Sequence, residues 1–185
     1  MTWGSVARDG RTVICRPVHG AVEHHEFVSE EEAIGRVALL TEGLSWLRTP
    51  FRDCADVKGP MGAVDCAMFL TRCHVDTGLL APFDPRPYSP QWHAHQDEEK
   101  FTDWLTGSLE AVEVSEPRIG DVGVWQFGRT FSHGGLILGS NAVLHAFAQA
   151  GCVTVSAMTD ADLSEKRTGG KRPVKFFRLK QWSAE

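Results

Sequence analysis

At Gly120 the sequence changes its periodicity. Before it, apolar residues recur at helical spacing; after it, they come in short runs divided by turn residues. Ser29-Glu30-Glu31-Glu32 reads as a helix start, a serine cap followed by carboxylates in the first turn. Ile34, Val37, Ala38, Leu40, Leu44 and Leu47 follow as its apolar positions, and Pro50 ends it. Val64 to Val75 is apolar on nearly all sides, which predicts a buried helix stopping at Gly78. Residues 81–91 hold four prolines and form an extended connection. Glu98 to Leu109 is a second amphipathic helix with Phe101, Trp104, Leu105 and Leu109 inward. Asp121 to Phe127, Gly134 to Leu138, Val143 to Phe147, Val153 to Ala157 and Val174 to Leu179 are β-type. Helices first and an antiparallel meander after define an α+β domain.

A chain of 185 residues with 42% hydrophobic and 23% charged side chains is one globular domain with a sizeable core, not a disordered chain or a coiled coil. Residues 1–28 read as a strand-like extension, with candidates at Thr12 to Cys15 and Val22 to Val28; residues 29–185 form the main domain. No apolar run approaches the ~20 residues of a membrane span. Met1 to Gly20 has no apolar signal-peptide centre, so synthesis in the cytoplasm is expected. The net charge of −5 argues against a nucleic-acid partner. The one basic cluster, Lys166 to Lys171, reads as a solvated loop.

Five cysteines, odd in number and without a CxxC pair, fit free thiols in a reducing compartment. Cys66 differs from the rest by opening the buried helix, just after Asp65. Unpaired amides and the helix dipole there favour an anion, which predicts a lowered thiol pKa and a nucleophile. Asp65 is either the cap of that helix or a substrate contact. His133 and His145 lie on adjacent β-runs across Gly139-Ser140-Asn141. A three-residue loop pairs Leu138 with Ala142 and His145 with Gly135, placing both imidazoles on one face; a two-residue loop separates them. On one face, His145 can orient His133 and His133 can take a proton from Cys66, the logic of a thiol hydrolase. Spacing alone leaves three unrelated core residues as the other reading. His24-His25 and His93-x-His95 read as surface histidines, so neither a metal nor a cofactor is expected.

Further segments carry a likeness. Trp46 to Phe51, Lys58-Gly59, Val64-Asp65-Cys66, Tyr88 to His93, Gly120-Asp121-Val122, Ser132 to Leu136 and Val143 to Ala146 together resemble the NlpC-type cell-wall cysteine peptidases, most closely the branch found with phage tails and gene transfer agents. The resemblance runs from about residue 33 to residue 179. It implies a papain-like fold, with the nucleophile helix packed on an antiparallel sheet that carries the base. It implies a catalytic Cys66, His133 and His145, an oxyanion held by the Cys66 N–H, and substrate contacts at Phe51, Asp65 and Ser132. The substrate implied is a peptidoglycan stem peptide, cut between D-glutamate and a diamino acid. The setting implied is a tail-tip particle docked on hub or baseplate proteins, acting in the periplasm or cell wall as DNA is delivered. Two positions depart from the family: Phe51 stands where it usually has Tyr, and Ala67-Met68 where it has Ser-Gly or Leu-Gly. These departures motivate the alternative of a structural tail protein that keeps the fold with little activity. A related thiol acyltransferase or amidase is the third reading.

Overall fold

The computed structural model describes residues 4–16, 20–88 and 100–183. Three short strands come first, β1 (Gly4–Val6), β2 (Thr12–Cys15) and β3 (Glu23–Glu26), paired antiparallel in the order β1-β2-β3. They join the rest of the molecule through apolar burial and one polar tie. Val13, Cys15 and Phe27 belong to the main core. The Glu23 carboxylate accepts from the Ser140 N–H at 3.1 Å and its hydroxyl at 2.7 Å.

Helix α1 (Glu30–Ser45) starts as its sequence dictates, the Ser29 hydroxyl accepting from the Glu32 N–H. Its buried face differs from the apolar reading. Ile34 is 51% exposed and Leu47 39%, whereas Arg36 is fully buried beside Ala33, Leu39 and Leu40. The reason is electrostatic pairing: the Arg36 guanidinium meets Glu32, Asp121 and the Ile119 carbonyl, between the rings of Phe27 and Trp182. Paired with two carboxylates, a buried arginine turns the face that hydrophobicity alone assigns. The helix also ends at Ser45, short of Pro50.

Residues 50–63 contain β4 (Asp56–Val57), which pairs with β5 (Ala63–Val64). Helix α2 (Cys66–Asp76) begins two residues later than the apolar run, because Asp65 is its N-cap. It stops at Gly78, whose φ of +73° suits glycine. Helix α3 (Lys100–Gly107) corresponds to the second amphipathic segment; Glu98, and the histidines His93 and His95, lie outside the described residues.

The main sheet has six strands in the order β10-β9-β8-β7-β11-β6, all neighbours antiparallel. Here β6 is Ala111–Val114, β7 Val122–Phe127, β8 Thr130–Gly139, β9 Ala142–Phe147, β10 Cys152–Ala157 and β11 Val174–Leu179. Edge strand β6, with a half-exposed face, was not expected from the sequence. One sheet face carries the main core, where Phe69 and Leu70 of α2 meet Leu136, Leu144 and Ala146. The other holds a smaller cluster of Trp125, Ile137, Val143 and Leu163, the last from the short helix α4 (Ala161–Ser164). At Gly134 a side-chain carbon would sit 2.7 Å from Phe101 and 2.8 Å from Leu70, so glycine is what lets α2 and α3 lie on β8.

Candidate active site

Cys66 and His133 share one cleft, and His145 is paired with His133 behind it. Cys66, the first residue of α2, and His133, on β8, line the same cleft of about 290 Å³. His133 Nε2 lies 2.8 Å from His145 Nδ1, and His145 Nε2 lies 3.0 Å from the Ser156 hydroxyl.

The sheet achieves this by two irregularities. Of the two loop lengths open to the β8–β9 connection, the shorter is found: Gly139 pairs with Ala142 across Ser140 and Asn141. Taken alone, a two-residue loop would put the histidines on opposite faces. A one-residue bulge at Leu138 restores the register, with Ile137 opposite Val143 and Leu136 opposite Leu144. That register carries Gly135 to His145, so close that a carbon on Gly135 would lie 2.9 Å from the His145 Cβ and 2.6 Å from Val143. The second irregularity is at Ser132. His133 pairs with Trp125 and Phe131 with Gln126, leaving Ser132 as the extra residue. Its carbonyl faces Cys66, accepting from the thiol at 3.8 Å.

The tautomers follow from the direction the line must run. For His133 to act as a base toward Cys66, Nδ1 must carry the lone pair, because Nε2 is engaged by His145. Nε2 then donates to His145 Nδ1, and His145 Nε2 donates to Ser156 Oγ. Ser156 is therefore a fourth member. Sequence reasoning missed it; the available signal was the polar-apolar alternation of β10, which puts Thr154 opposite His145 and Ser156 one step along the same face.

The surroundings keep this line neutral. Phe127, Phe147 and Trp125 ring His133 at 5.3, 5.1 and 6.4 Å, and Phe147 stacks on His145 at 4.6 Å. Burial, then His145 and Arg172, holds His133 well below the ordinary imidazole value; burial takes His145 down to about 3. The thiol differs from the sequence expectation of a lowered pKa. Burial pushes Cys66 up to about 12, with the Asp65 carboxylate next. The backbone N–H groups of Gly134, Ala67 and Cys66 pull the other way and are outweighed. The helix-terminus effect is present, but burial of the thiol and an adjacent carboxylate exceed it. The substrate-free site thus holds a neutral thiol and neutral imidazoles.

Asp65 has both oxygens occupied. One accepts from the Met68 N–H at 2.8 Å and caps α2; the other accepts from the Cys54 N–H and the Tyr88 hydroxyl, each at 2.6 Å. Burial raises its pKa against these hydrogen bonds. Tyr88 lines the cleft beside Phe51, and it too was not singled out as a site residue from sequence. Phe51 is held by its N–H to the Gly151 carbonyl, 2.8 Å, and Ser132 by its hydroxyl to the Phe127 carbonyl, 3.2 Å. Ala67 faces the cleft, while Met68, 1% exposed, is in the core. Among the described residues, no group of three or more His, Cys, Asp or Glu side chains is arranged to hold a metal ion. His25 is instead 3.1 Å from Glu23. No helix among them is long and apolar enough to cross a membrane.

No family model and no curated protein matches this chain. Solved structures do match. NlpC1 from Trichomonas vaginalis covers 92% of the chain at 16% identity, with a TM-score of 0.50. An N-acetylmuramoyl-L-alanine amidase from Bacteroides uniformis covers 79% at 10% identity, also with a TM-score of 0.50. The peptidoglycan hydrolase RipB from Mycobacterium tuberculosis covers 79% at 20% identity, with a TM-score of 0.48. The match takes in 54% of NlpC1, 99% of the amidase and 65% of RipB. The chain thus has the NlpC-type, papain-like α+β fold, with α2, the helix that Cys66 opens, packed on the antiparallel sheet.

Proposed function

We propose that this chain is a cysteine peptidase that hydrolyses amide bonds of peptidoglycan stem peptides, of the D-glutamyl–diamino acid type. The observation that carries the reading is Cys66 and His133 on the wall of one cleft, with His145 and Ser156 hydrogen-bonded in turn behind His133. Cys66 Sγ attacks the amide carbonyl while His133 Nδ1 takes the thiol proton. His145, held by Ser156, keeps that tautomer and faces the imidazolium as it forms. The Cys66 N–H stabilises the oxyanion. His133 then returns the proton to the leaving amine, and water, activated by the same base, hydrolyses the thioester. Because thiol and imidazole start neutral, proton transfer accompanies attack.

The setting that fits is the tail tip of a phage or gene-transfer-agent particle, docked on hub or baseplate proteins. The protein is made in the cytoplasm, carried in the particle and released to act on the wall as DNA enters. Support for this comes from the sequence blocks around Trp46 to Cys66 and Ser132 to Ala146. Purified protein incubated with sacculi should release soluble stem-peptide fragments, and Cys66→Ala should release none while folding normally. Equal release by both proteins would refute the reading.

A structural tail protein with little activity is the second reading. What favours it is the thiol itself, raised to about 12 and donating to the Ser132 carbonyl, together with Phe51 in the cleft. Particles carrying Cys66→Ala separate the two. Normal assembly with lost DNA delivery supports the peptidase; normal delivery supports the structural role.

A further inference from the structure

The candidate cleft does not end at His133. Phe127 and Gln149 line it on one side and, on the other, line a second groove of about 790 Å³. Lys166, Arg167 and Arg172 bring three cations to that groove, against two carboxylates, Asp162 and Glu165. The loop that carries them is the basic cluster Lys166 to Lys171. As its sequence suggests it is exposed to solvent, and its backbone is held in a defined turn. The backbones of Glu165 and Lys171 form an antiparallel β-bridge, the Lys166 N–H donates to the Gly170 carbonyl at 2.9 Å, and Gly169 and Gly170 take φ of +89° and +83° to close it.

Arg172 fixes the loop to the catalytic wall. Its guanidinium donates to the carbonyls of Leu163, Gln126 and Glu165 and lies 3.7 Å over the ring of Phe127, which itself packs 5.3 Å from His133. Arg172 is thereby committed. The side chains of Lys166 and Arg167 are exposed, and among the described residues neither forms an ion pair. The far end of the cleft has the opposite sign, since Asp53 and Asp65 line it on the Cys66 side.

This polarity meets the chemistry in one orientation. His133 must protonate the departing nitrogen, so the leaving half of the substrate lies on the His133 side of Cys66. From there the way out runs past Phe127 and Gln149 to Lys166 and Arg167. We propose that the groove beyond Phe127 receives a free carboxylate carried by the leaving half of the substrate, so that the protein selects stem peptides whose diamino acid end is un-amidated. The inference rests on the peptidase reading, and it adds a subsite and a substrate preference to it.

Binding measured apart from turnover tests it. The probes are the tripeptide L-alanyl-γ-D-glutamyl-meso-diaminopimelate and the same peptide with its diaminopimelate carboxylates amidated. Each is titrated calorimetrically into Cys66→Ala protein. The free acid should bind about fivefold to tenfold more tightly, as expected for two exposed charge pairs. That preference should shrink at high salt and vanish in Cys66→Ala/Lys166→Ala/Arg167→Ala. Equal affinities, no binding of either peptide, or a preference that survives in the triple variant would overturn the proposal. Failure of the wild-type protein to cleave either peptide, with the binding preference intact, would instead overturn the peptidase reading and leave the groove assigned.

Discussion

In the absence of substrate, Cys66 should be alkylated far more slowly than an ordinary cysteine. Its thiol is raised to about 12, against about 8.5 for a free thiol. That difference, about 3.5 pKa units, lowers the thiolate fraction at neutral pH roughly 3,000-fold. A more basic thiolate is also a better nucleophile, with a Brønsted slope of about 0.4–0.5, which recovers roughly 30-fold. The net expectation is a rate about 100-fold below that of the same cysteine in urea-unfolded protein. The assay is iodoacetamide labelling resolved cysteine by cysteine by mass spectrometry, from pH 6 to pH 10. The Cys66 rate should climb about tenfold per pH unit throughout, because the group titrates above the range. His133→Ala should leave the profile unchanged, since no standing thiolate–imidazolium pair exists to be broken. Labelling at or above the unfolded rate, with a plateau below pH 7, would refute the argument that burial and Asp65 outweigh the helix terminus.

Three further outcomes follow from the same geometry. Ser156→Ala removes the acceptor that orients His145 and should lower kcat/KM about twofold to tenfold, the worth of one hydrogen bond of about 0.5–1.5 kcal/mol, with KM nearly unmoved in steady-state assays on stem peptide. Gly135→Ala places a carbon 2.6 Å from Val143 and 2.9 Å from the His145 Cβ; it should cost about 1–3 kcal/mol in denaturant melts and abolish turnover by displacing His145. Acid should destabilise the fold through its buried neutral histidines. His74, fully buried in α2, has its pKa lowered to about 4 by burial, so between about pH 6.5 and 4 the unfolded chain binds a proton that the native state does not, and stability falls with pH. Its share is about 2 kcal/mol by pH 5, and His74→Gln should flatten the urea-midpoint-against-pH curve by about that much.

The helices, the antiparallel meander and the identity of the clustered side chains could be read from the sequence, because helical and two-residue periodicities report directly which residues face a core. What escaped it were effects of pairing at a distance. Arg36 turns the buried face of α1 because Asp121, far along the chain, neutralises it. The histidines share a face because a bulge at Leu138 offsets a two-residue loop, and loop composition carries no sign of such a bulge. Strand β6 has too weak an alternation to announce itself at a sheet edge. The thiol was misjudged because a helix start can be read from sequence, whereas the burial that raises its pKa cannot. Ser156 and Tyr88 are polar residues among many, marked only once the fold sets them against His145 and Asp65.

The central claim is that Cys66, with His133 and His145, cuts a stem-peptide amide. Mass spectrometry of fragments released from sacculi tests it most directly, because it identifies the new ends as well as the rate. The account predicts paired products, one ending in the free γ-carboxyl of D-glutamate and the other beginning with the free amine of the diamino acid, both absent with Cys66→Ala and with His133→Ala. Products that persist in those variants, or new ends at a different bond, would contradict it.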